Sequence, residues 1–207
     1  MEFLGFYDYT VVLTLVSLTV SVFGMTCAVE GRFRSAILCL AISGLCDMFD
    51  GKIARTKKDR TDDEKKYGIE LDSLCDVLCF GAFPIILCYC LGMSRPIGKT
   101  VLAVYGMAAV IRLAFFNVTE EKRQAGESGN REFYQGLPVT SISIILPLIF
   151  FVRGLAGAYF PFILHIAVII TAILFISDIK IKKPQKPGIV LIFAVVALTL
   201  AKIFHLI

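Results

Sequence analysis

Long apolar runs separated by short charged connections constrain this chain more than any other feature of its sequence. From residue 9 onward, apolar stretches about twenty residues long alternate with short polar segments. A helix of ~20 residues crosses the ~30 Å hydrocarbon core of a bilayer while bonding its own backbone groups. The runs are continuous and do not alternate in polarity, which argues against a transmembrane β-barrel. With 57% hydrophobic residues and a mean hydropathy of +0.79, the chain is predicted to be all-α, a polytopic transmembrane helix bundle.

The lengths of the apolar runs predict about seven spans in a single integral membrane domain of residues 1–207. We place the spans near residues 9–29, 33–55, 67–91, 98–118, 134–152, 157–177 and 188–206. Residues 9–177 would form a six-helix core, and residues 188–206 an additional C-terminal span. Residues 1–8 are short and aromatic, and we expect them to lie along the membrane surface as an interfacial anchor.

The distribution of lysine and arginine predicts the orientation of the bundle. The connections after spans two, four and six carry thirteen of these residues, and the opposite side carries six. Since cytoplasmic loops are enriched in positive charge, we predict a multi-pass protein of the cell membrane with these three connections in the cytoplasm. The basic face would attract anionic lipid headgroups, so membrane lipids are expected partners and nucleic acid is not.

Four aspartates stand where two apolar runs meet a charged connection. Asp47 and Asp50 lie near the end of span two, and their spacing places both on one helix face; Asp72 and Asp76 share a face near the start of span three. If the two faces meet, four carboxylates converge, and such close like charges persist only with protonation or bound cations. Oxygen-only ligands suit magnesium, manganese or calcium better than zinc, so the pattern predicts a divalent-metal site.

Small residues and an arginine accompany the aspartates. Gly51 and Ala54 lie beside the first aspartate pair, and Gly68 lies one turn before Asp72. They leave room for a substrate, although small residues also serve close helix packing in membranes. Arg55 suits phosphate oxygens, with a snorkelling helix-end anchor as the alternative. The interior of the connection, "TKKDRTDDEKK", is predicted to be a solvated, mixed-charge loop.

These residues resemble the signature of the CDP-alcohol phosphotransferase family. The matching pattern is Asp47-x-x-Asp50-Gly51-x-x-Ala54-Arg55 followed by Gly68-x-x-x-Asp72-x-x-x-Asp76. The chain has twelve residues between its two halves, more than is common in the family. The stretches "LDSLCDVLCFGAFP", "IRLAFFN", "YQGLPVT" and "SDIKIKKP" resemble the phosphatidylserine synthase branch. Phe115 and Thr140 depart from that branch, which often has arginine and proline there, and both lie in the region expected to hold the acceptor.

The resemblance implies an enzyme that transfers a phosphatidyl group from CDP-diacylglycerol to an alcohol, L-serine in that branch, and releases CMP. It implies two divalent ions, Mg²⁺ or Mn²⁺, and a homodimer. The metal would be held by Asp47, Asp50, Asp72 and Asp76. Of these, Asp76 would also be the catalytic base. The donor would be bound by Asp50, Gly51, Ala54, Arg55 and Gly68.

The acceptor would be bound by Arg112, Asn117, Gly136 and Pro138. An arginine within a membrane span is a functional candidate by default, and the alternative for Arg112 is a structural pair with an aspartate of the cluster.

Two alternatives to serine transfer remain open at the level of sequence. Glycerol phosphate, inositol phosphate or another alcohol could replace serine in the same reaction. An ion or solute transporter could also use intramembrane aspartates, but transporters typically place them near the midplane on broken helices.

Overall fold

The computed structural model describes residues 5–54, 56–57, 59–124, 133–182, 197–198 and 200–202. Almost all of this part of the chain is helical, which confirms the predicted all-α transmembrane bundle. Its main helices are α1 (Tyr9–Val29), α2 (Phe33–Ala54), α3 (Asp62–Cys90), α4 (Pro96–Gln124), α5 (Ile142–Phe151) and α6 (Phe160–Ile176).

Among the described residues, four helical segments are long and apolar enough to cross a bilayer. They are Tyr9–Val29, Asp62–Cys90, Pro96–Glu121 and Arg153–Ile176. Helix α2 has the length of a span but contains four charged residues, among them Asp47 and Asp50. Helix α5 is shorter than the predicted fifth span. The predicted seventh span lies outside the described residues except at 197–198 and 200–202, which are helical.

Helices α1 and α2 pack through small and hydroxylated residues. Gly24 of α1 lies so near α2 that a Cβ atom there would be 2.8 Å from the Cβ of Cys39. The Ser43 hydroxyl of α2 is hydrogen-bonded to the hydroxyls of Ser17 (2.7 Å) and Ser21 (2.8 Å) of α1. Since lipid tails are as apolar as leucine, close packing and interhelical hydrogen bonds hold such helices together. This contact fixes α1 beside the end of α2 that carries the aspartates.

A π-helical turn, Val77–Ala82, interrupts α3 directly after Asp76. Pro84 has no N–H to bond with the carbonyl of Phe80, four residues earlier. The hydroxyl of Tyr105, on α4, donates to that carbonyl at 2.6 Å, and Tyr105 is almost fully buried. A buried backbone carbonyl is thereby satisfied, and α4 is fixed to α3 next to Asp76.

Helix α3 begins earlier than the apolar pattern predicts. Thr61 caps it through a capping box, in which Thr61 accepts from the Glu64 N–H and Glu64 accepts from the Thr61 N–H. Residues 62–66 are therefore helical, so the predicted loop conformation is wrong for them, but all except the half-buried Glu64 are exposed, as predicted for a solvated, mixed-charge connection. Asp72 and Asp76 consequently lie in the third and fourth turns of α3.

A two-stranded antiparallel ladder joins the segment after α4 to the segment after α6. Strand β1 (Phe133–Gln135) pairs with β2 (Lys180–Lys182), and the Gly136 N–H donates to the Ile179 carbonyl at 2.8 Å. Gly136 has φ +76°, which glycine adopts without strain, and it ends the strand. The predicted fifth span therefore starts as a strand and becomes helical only after Pro138.

Candidate active site

Three carboxylates from two antiparallel helices meet at the predicted metal site. Asp47 and Asp50 of α2 and Asp72 of α3 each offer an oxygen, and these oxygens lie within 4.8 Å of one another. Asp50 is only 7% exposed, and Oδ1 of Asp72 is buried without a hydrogen-bond partner in the described structure. A buried polar atom without a partner is costly, and an all-oxygen donor set is the one that hard divalent cations prefer. These residues therefore fit a divalent metal ion such as Mg²⁺ or Mn²⁺.

The fourth aspartate lies beside this group. Asp76 follows Asp72 by one turn of α3 and is 9% exposed. It interacts electrostatically with Asp47 and Asp72, but it is not one of the three residues whose oxygens lie within 4.8 Å. The Asp76 carboxyl also lies within hydrogen-bonding reach of the Asp47 carboxyl, so the fourth aspartate adjoins the group of three through Asp47.

Two hydrogen bonds to this region come from residues that the sequence pattern did not single out. The Thr14 hydroxyl of α1 donates to Oδ2 of Asp50 at 3.1 Å. The Ser73 hydroxyl, between Asp72 and Asp76 in sequence, donates to Oδ1 of Asn117 at 2.6 Å. Each bond links a helix that carries aspartates to a neighbouring helix. A hydroxyl on a buried helix face gives no sequence signal of its own until the facing residue is known.

The small residues of the signature differ in what surrounds them. Gly51 is exposed, and a Cβ atom there would meet nothing within 4 Å. Ala54 is half-buried. A Cβ atom at Gly68, in contrast, would lie 2.5 Å from Nη2 of Arg60. Arg55 lies outside the described residues. Open space therefore adjoins Asp50 on α2, while a guanidinium group occupies the corresponding place on α3.

The N-terminal segment packs against the connection between α2 and α3. Nζ of Lys57 bonds to Asp8 at 2.8 Å and to Glu64 at 3.0 Å. The hydrogen bond from Lys57, together with one from Thr10, lowers the pKa of Asp8 to about 2. Hydrogen bonds to Asp8 and Glu64 raise the pKa of Lys57.

An aromatic contact adds to this packing, since the rings of Phe6 and Tyr67 lie 5.5 Å apart, edge to face. Residues 5–8 thus hold the connection in place. Their predicted role as an interfacial anchor stays a prediction.

Three of the four residues predicted to bind the acceptor come together. Arg112 is 7% exposed, and its Nε donates to the Leu137 carbonyl at 3.1 Å. A Cβ atom at Gly136 would lie 3.5 Å from the same Nε, and Pro138 begins the turn before α5. Asn117 is held separately, by Ser73. Arg112 therefore fixes the segment that joins β1 to α5.

Comparison with known proteins connects this geometry to a family. The family model of the CDP-alcohol phosphatidyltransferases matches residues 10–176. A CDP-diacylglycerol–serine O-phosphatidyltransferase of Mycobacterium leprae is 29% identical over 93% of this chain and 64% of its own length. The Saccharomyces cerevisiae protein of the same name is 32% identical over 58% of this chain and 43% of its own.

An archaetidylserine synthase of Methanothermobacter thermautotrophicus is 26% identical over 78% of this chain and 64% of its own length. The chain thus spans less than two thirds of the length of each of these relatives. The family model, however, covers most of the chain, including all four aspartates. The protein therefore belongs to the CDP-alcohol phosphatidyltransferase family.

Proposed function

We propose that this protein is a transferase that moves a phosphatidyl group from CDP-diacylglycerol to the hydroxyl of L-serine, giving phosphatidylserine and CMP. The observation that carries the proposal is the convergence of Asp47, Asp50 and Asp72 in a chain of this family. The serine acceptor is supported by the names of the relatives and by the motifs that resemble their branch.

The metal ions would be held by Asp47, Asp50 and Asp72, with Asp76 as the predicted fourth ligand. Magnesium or manganese, two ions in the family, would neutralise the charge of the donor's pyrophosphate and of the departing CMP. The orphaned oxygen of Asp72 supports this assignment, because it is buried and has no other partner in the described structure. Thr14, through its bond to Asp50, would orient one carboxylate of the group.

Asp76 would act as the general base. It lies one turn deeper along α3 than Asp72, beside Asp47 and outside the group of three close carboxylates, and we propose that it is the carboxylate left to accept a proton. The serine hydroxyl would form a new P–O bond to the lipid-bearing phosphorus while the P–O bond to CMP breaks. Asp76 would accept the hydroxyl proton as the oxygen attacks.

The donor would lie between the small residues of α2 and α3. Gly51 adjoins Asp50 and opens to space, which suits the approach of a nucleotide from water. Ala54, Arg55 and Gly68 complete the family's donor-binding pattern in this chain. The acyl chains could then remain in the bilayer while the cytidine diphosphate group reaches the aspartates.

The acceptor would bind near Arg112, Gly136 and Pro138, with Asn117 on the adjoining turn of α4. The contact between Arg112 and the Leu137 carbonyl gives this region a fixed shape next to the helices that carry the aspartates. We further propose that residues 9–177 form the catalytic core within one domain, that the site faces the cytoplasm, and that the protein works as a homodimer.

The test is an acceptor panel. Purified protein would be incubated with CDP-diacylglycerol, Mg²⁺ and, in separate reactions, L-serine, glycerol phosphate, inositol phosphate or inositol, while CMP release is followed. The proposal expects release with serine at least tenfold faster than with the other alcohols. Faster release with another alcohol would correct the acceptor, and no release with any alcohol would contradict the transferase.

A further inference from the structure

We propose that Arg60, which is not part of the family signature, is a further donor-binding residue that contacts a phosphate of the cytidine diphosphate group. This inference rests on the proposed function. It begins from the position of the side chain. A Cβ atom at Gly68 would lie 2.5 Å from Nη2 of Arg60 and 3.7 Å from its Cζ, so the guanidinium group lies directly over this glycine.

Gly68 places the guanidinium on the helix face that carries the catalytic aspartates. Gly68, Asp72 and Asp76 follow one another at intervals of four residues, so they share one face of α3. A rise of about 1.5 Å per residue puts Gly68 about 6 Å along the axis from Asp72. The donor is proposed above to approach this glycine, and Arg60 reaches into the same space.

The hydrogen bonding of Arg60 is incomplete. Its Nη2 donates to the Glu64 carbonyl at 2.9 Å, whereas its Nε is buried and has no partner in the described structure. A buried cationic N–H without an acceptor is unfavourable, and the planar guanidinium fork is well suited to phosphate oxygens. A phosphate placed between Arg60 and the aspartates would supply the missing acceptor.

The connection that carries Arg60 is held in a defined position. Lys57 bonds to Asp8 and Glu64, and Thr61 caps α3 directly after Arg60. Residues 62–67 therefore extend α3 toward this connection, and Arg60 lies directly before the capping residue Thr61. Such an extension can present an arginine to the donor with little loss of conformational freedom on binding.

The direct test is CDP binding in the presence of Mg²⁺, measured by isothermal titration calorimetry on the full-length protein in detergent. Arg60→Ala should weaken CDP binding by roughly 10-fold to 100-fold, since a charge-assisted hydrogen bond is lost. Arg60→Lys should recover part of the loss. The matched control is Lys65→Ala, because Lys65 is a half-exposed cation in the same region whose partner is the exposed Asp62. It should bind CDP within twofold of the wild type.

Wild-type affinity in Arg60→Ala, or an equal loss in Lys65→Ala, would overturn the proposal.

The phosphate that Arg60 contacts could also belong to a lipid headgroup. The CDP titration is therefore repeated in nanodiscs of phosphatidylcholine with and without phosphatidylglycerol. A loss of CDP affinity in Arg60→Ala that appears only with phosphatidylglycerol would assign the arginine to the lipid headgroups and would also overturn the proposal. Circular dichroism of each variant checks that α3 remains folded.

A double-mutant cycle tests the placement independently of folding. Gly68→Ala should displace the guanidinium, so its effect on CDP affinity should be much smaller in the Arg60→Ala background than in the wild type. Additive losses would contradict the placement of Arg60 over Gly68. The proposed transferase reaction is tested separately: wild-type protein that fails to bind CDP contradicts that reaction, whereas normal binding in Arg60→Ala contradicts only the role of Arg60.

Discussion

The hydroxyl of Thr14 donates to Oδ2 of Asp50 at 3.1 Å, and both residues are buried, at 6% and 7% exposure. The bond joins α1, which carries no aspartate of the signature, to the group of three carboxylates. A carboxylate with one oxygen fixed in this way presents its remaining lone pairs in a defined direction. We therefore infer that α1 helps to shape the proposed metal site, although the described residues of the family signature lie on α2 and α3.

Replacing Thr14 tests this role. Thr14→Val keeps the shape of the side chain but removes the donor, and we expect metal affinity to fall by roughly 10-fold to 100-fold, as is typical for groups that orient a ligand. Thr14→Ser should retain most of the affinity. Mn²⁺ binding measured by electron paramagnetic resonance gives the readout without turnover. Thr19→Val is the control, since Thr19 is exposed on α1 and its hydroxyl donates to the Leu15 carbonyl of its own helix. Unchanged affinity in Thr14→Val would remove Thr14 from the site.

Asp76→Asn separates binding from chemistry. The substitution keeps the size of the side chain but cannot accept the serine proton, and loss of a general base typically lowers the rate by ~10²–10⁴-fold. Donor affinity should survive, because the three close carboxylates remain. Asp50→Asn should instead weaken metal and donor binding together with turnover. Donor affinity and turnover would both be measured for each variant at saturating metal. A loss of donor binding in Asp76→Asn as severe as in Asp50→Asn would make Asp76 mainly a metal ligand.

The orientation of the bundle is open to cysteine labelling in intact cells. We expect an impermeant thiol reagent to label Ser94→Cys, on the connection between α3 and α4, without permeabilisation. Asp59→Cys, on the connection between α2 and α3, should react only after permeabilisation. Both positions are exposed, whereas the native cysteines are buried or half-buried, so the background should be low. The reverse pattern would invert the predicted topology.

The ion pair between Asp8 and Lys57 is expected to add an amount to the free energy of unfolding that does not change with pH near neutrality. The pKa of Asp8 is lowered to about 2, so its stabilising effect is complete above its ordinary value of 3.8 and is lost only as the pH falls through about 2. The pKa of Lys57 is raised, so its effect is present below the ordinary value of 10.5 and is lost at higher pH. Asp8→Asn should therefore lower Tm by the same small amount at pH 5 and pH 8, measured by circular dichroism. A difference that grows toward pH 5 would contradict the bridge.

The sequence predicts the helices and the aspartate faces well, because both depend on local spacing. Apolar length places α1 at residues 9–29, and spacings of three and four residues bring the aspartates to facing surfaces. The sequence Thr61-x-x-Glu64 has the pattern of a capping box, and this pattern predicts the early start of α3, which apolar length alone misses. Gly136 and Pro138 are residue types that commonly interrupt a helix, and they predict a later start for the fifth span.

Other features depend on which surfaces meet in three dimensions. The bonds from Thr14 to Asp50 and from Ser73 to Asn117 join residues 36 and 44 positions apart, and nothing local marks either pair. The position of Arg60 over Gly68 similarly requires the fold of the connection. Sequence alone therefore predicts the ligands of the proposed metal site but not the residues that orient them.

The most direct test of the proposed reaction follows labelled serine into lipid. Purified protein is supplied with CDP-diacylglycerol, radiolabelled L-serine and Mg²⁺, and phosphatidylserine and CMP are measured together. We expect the two products in equal amounts, loss of both in excess chelator, and recovery of both when Mg²⁺ or Mn²⁺ is restored. Full activity in excess chelator, or CMP release without labelled lipid, would contradict a metal-dependent transfer to serine at this aspartate site.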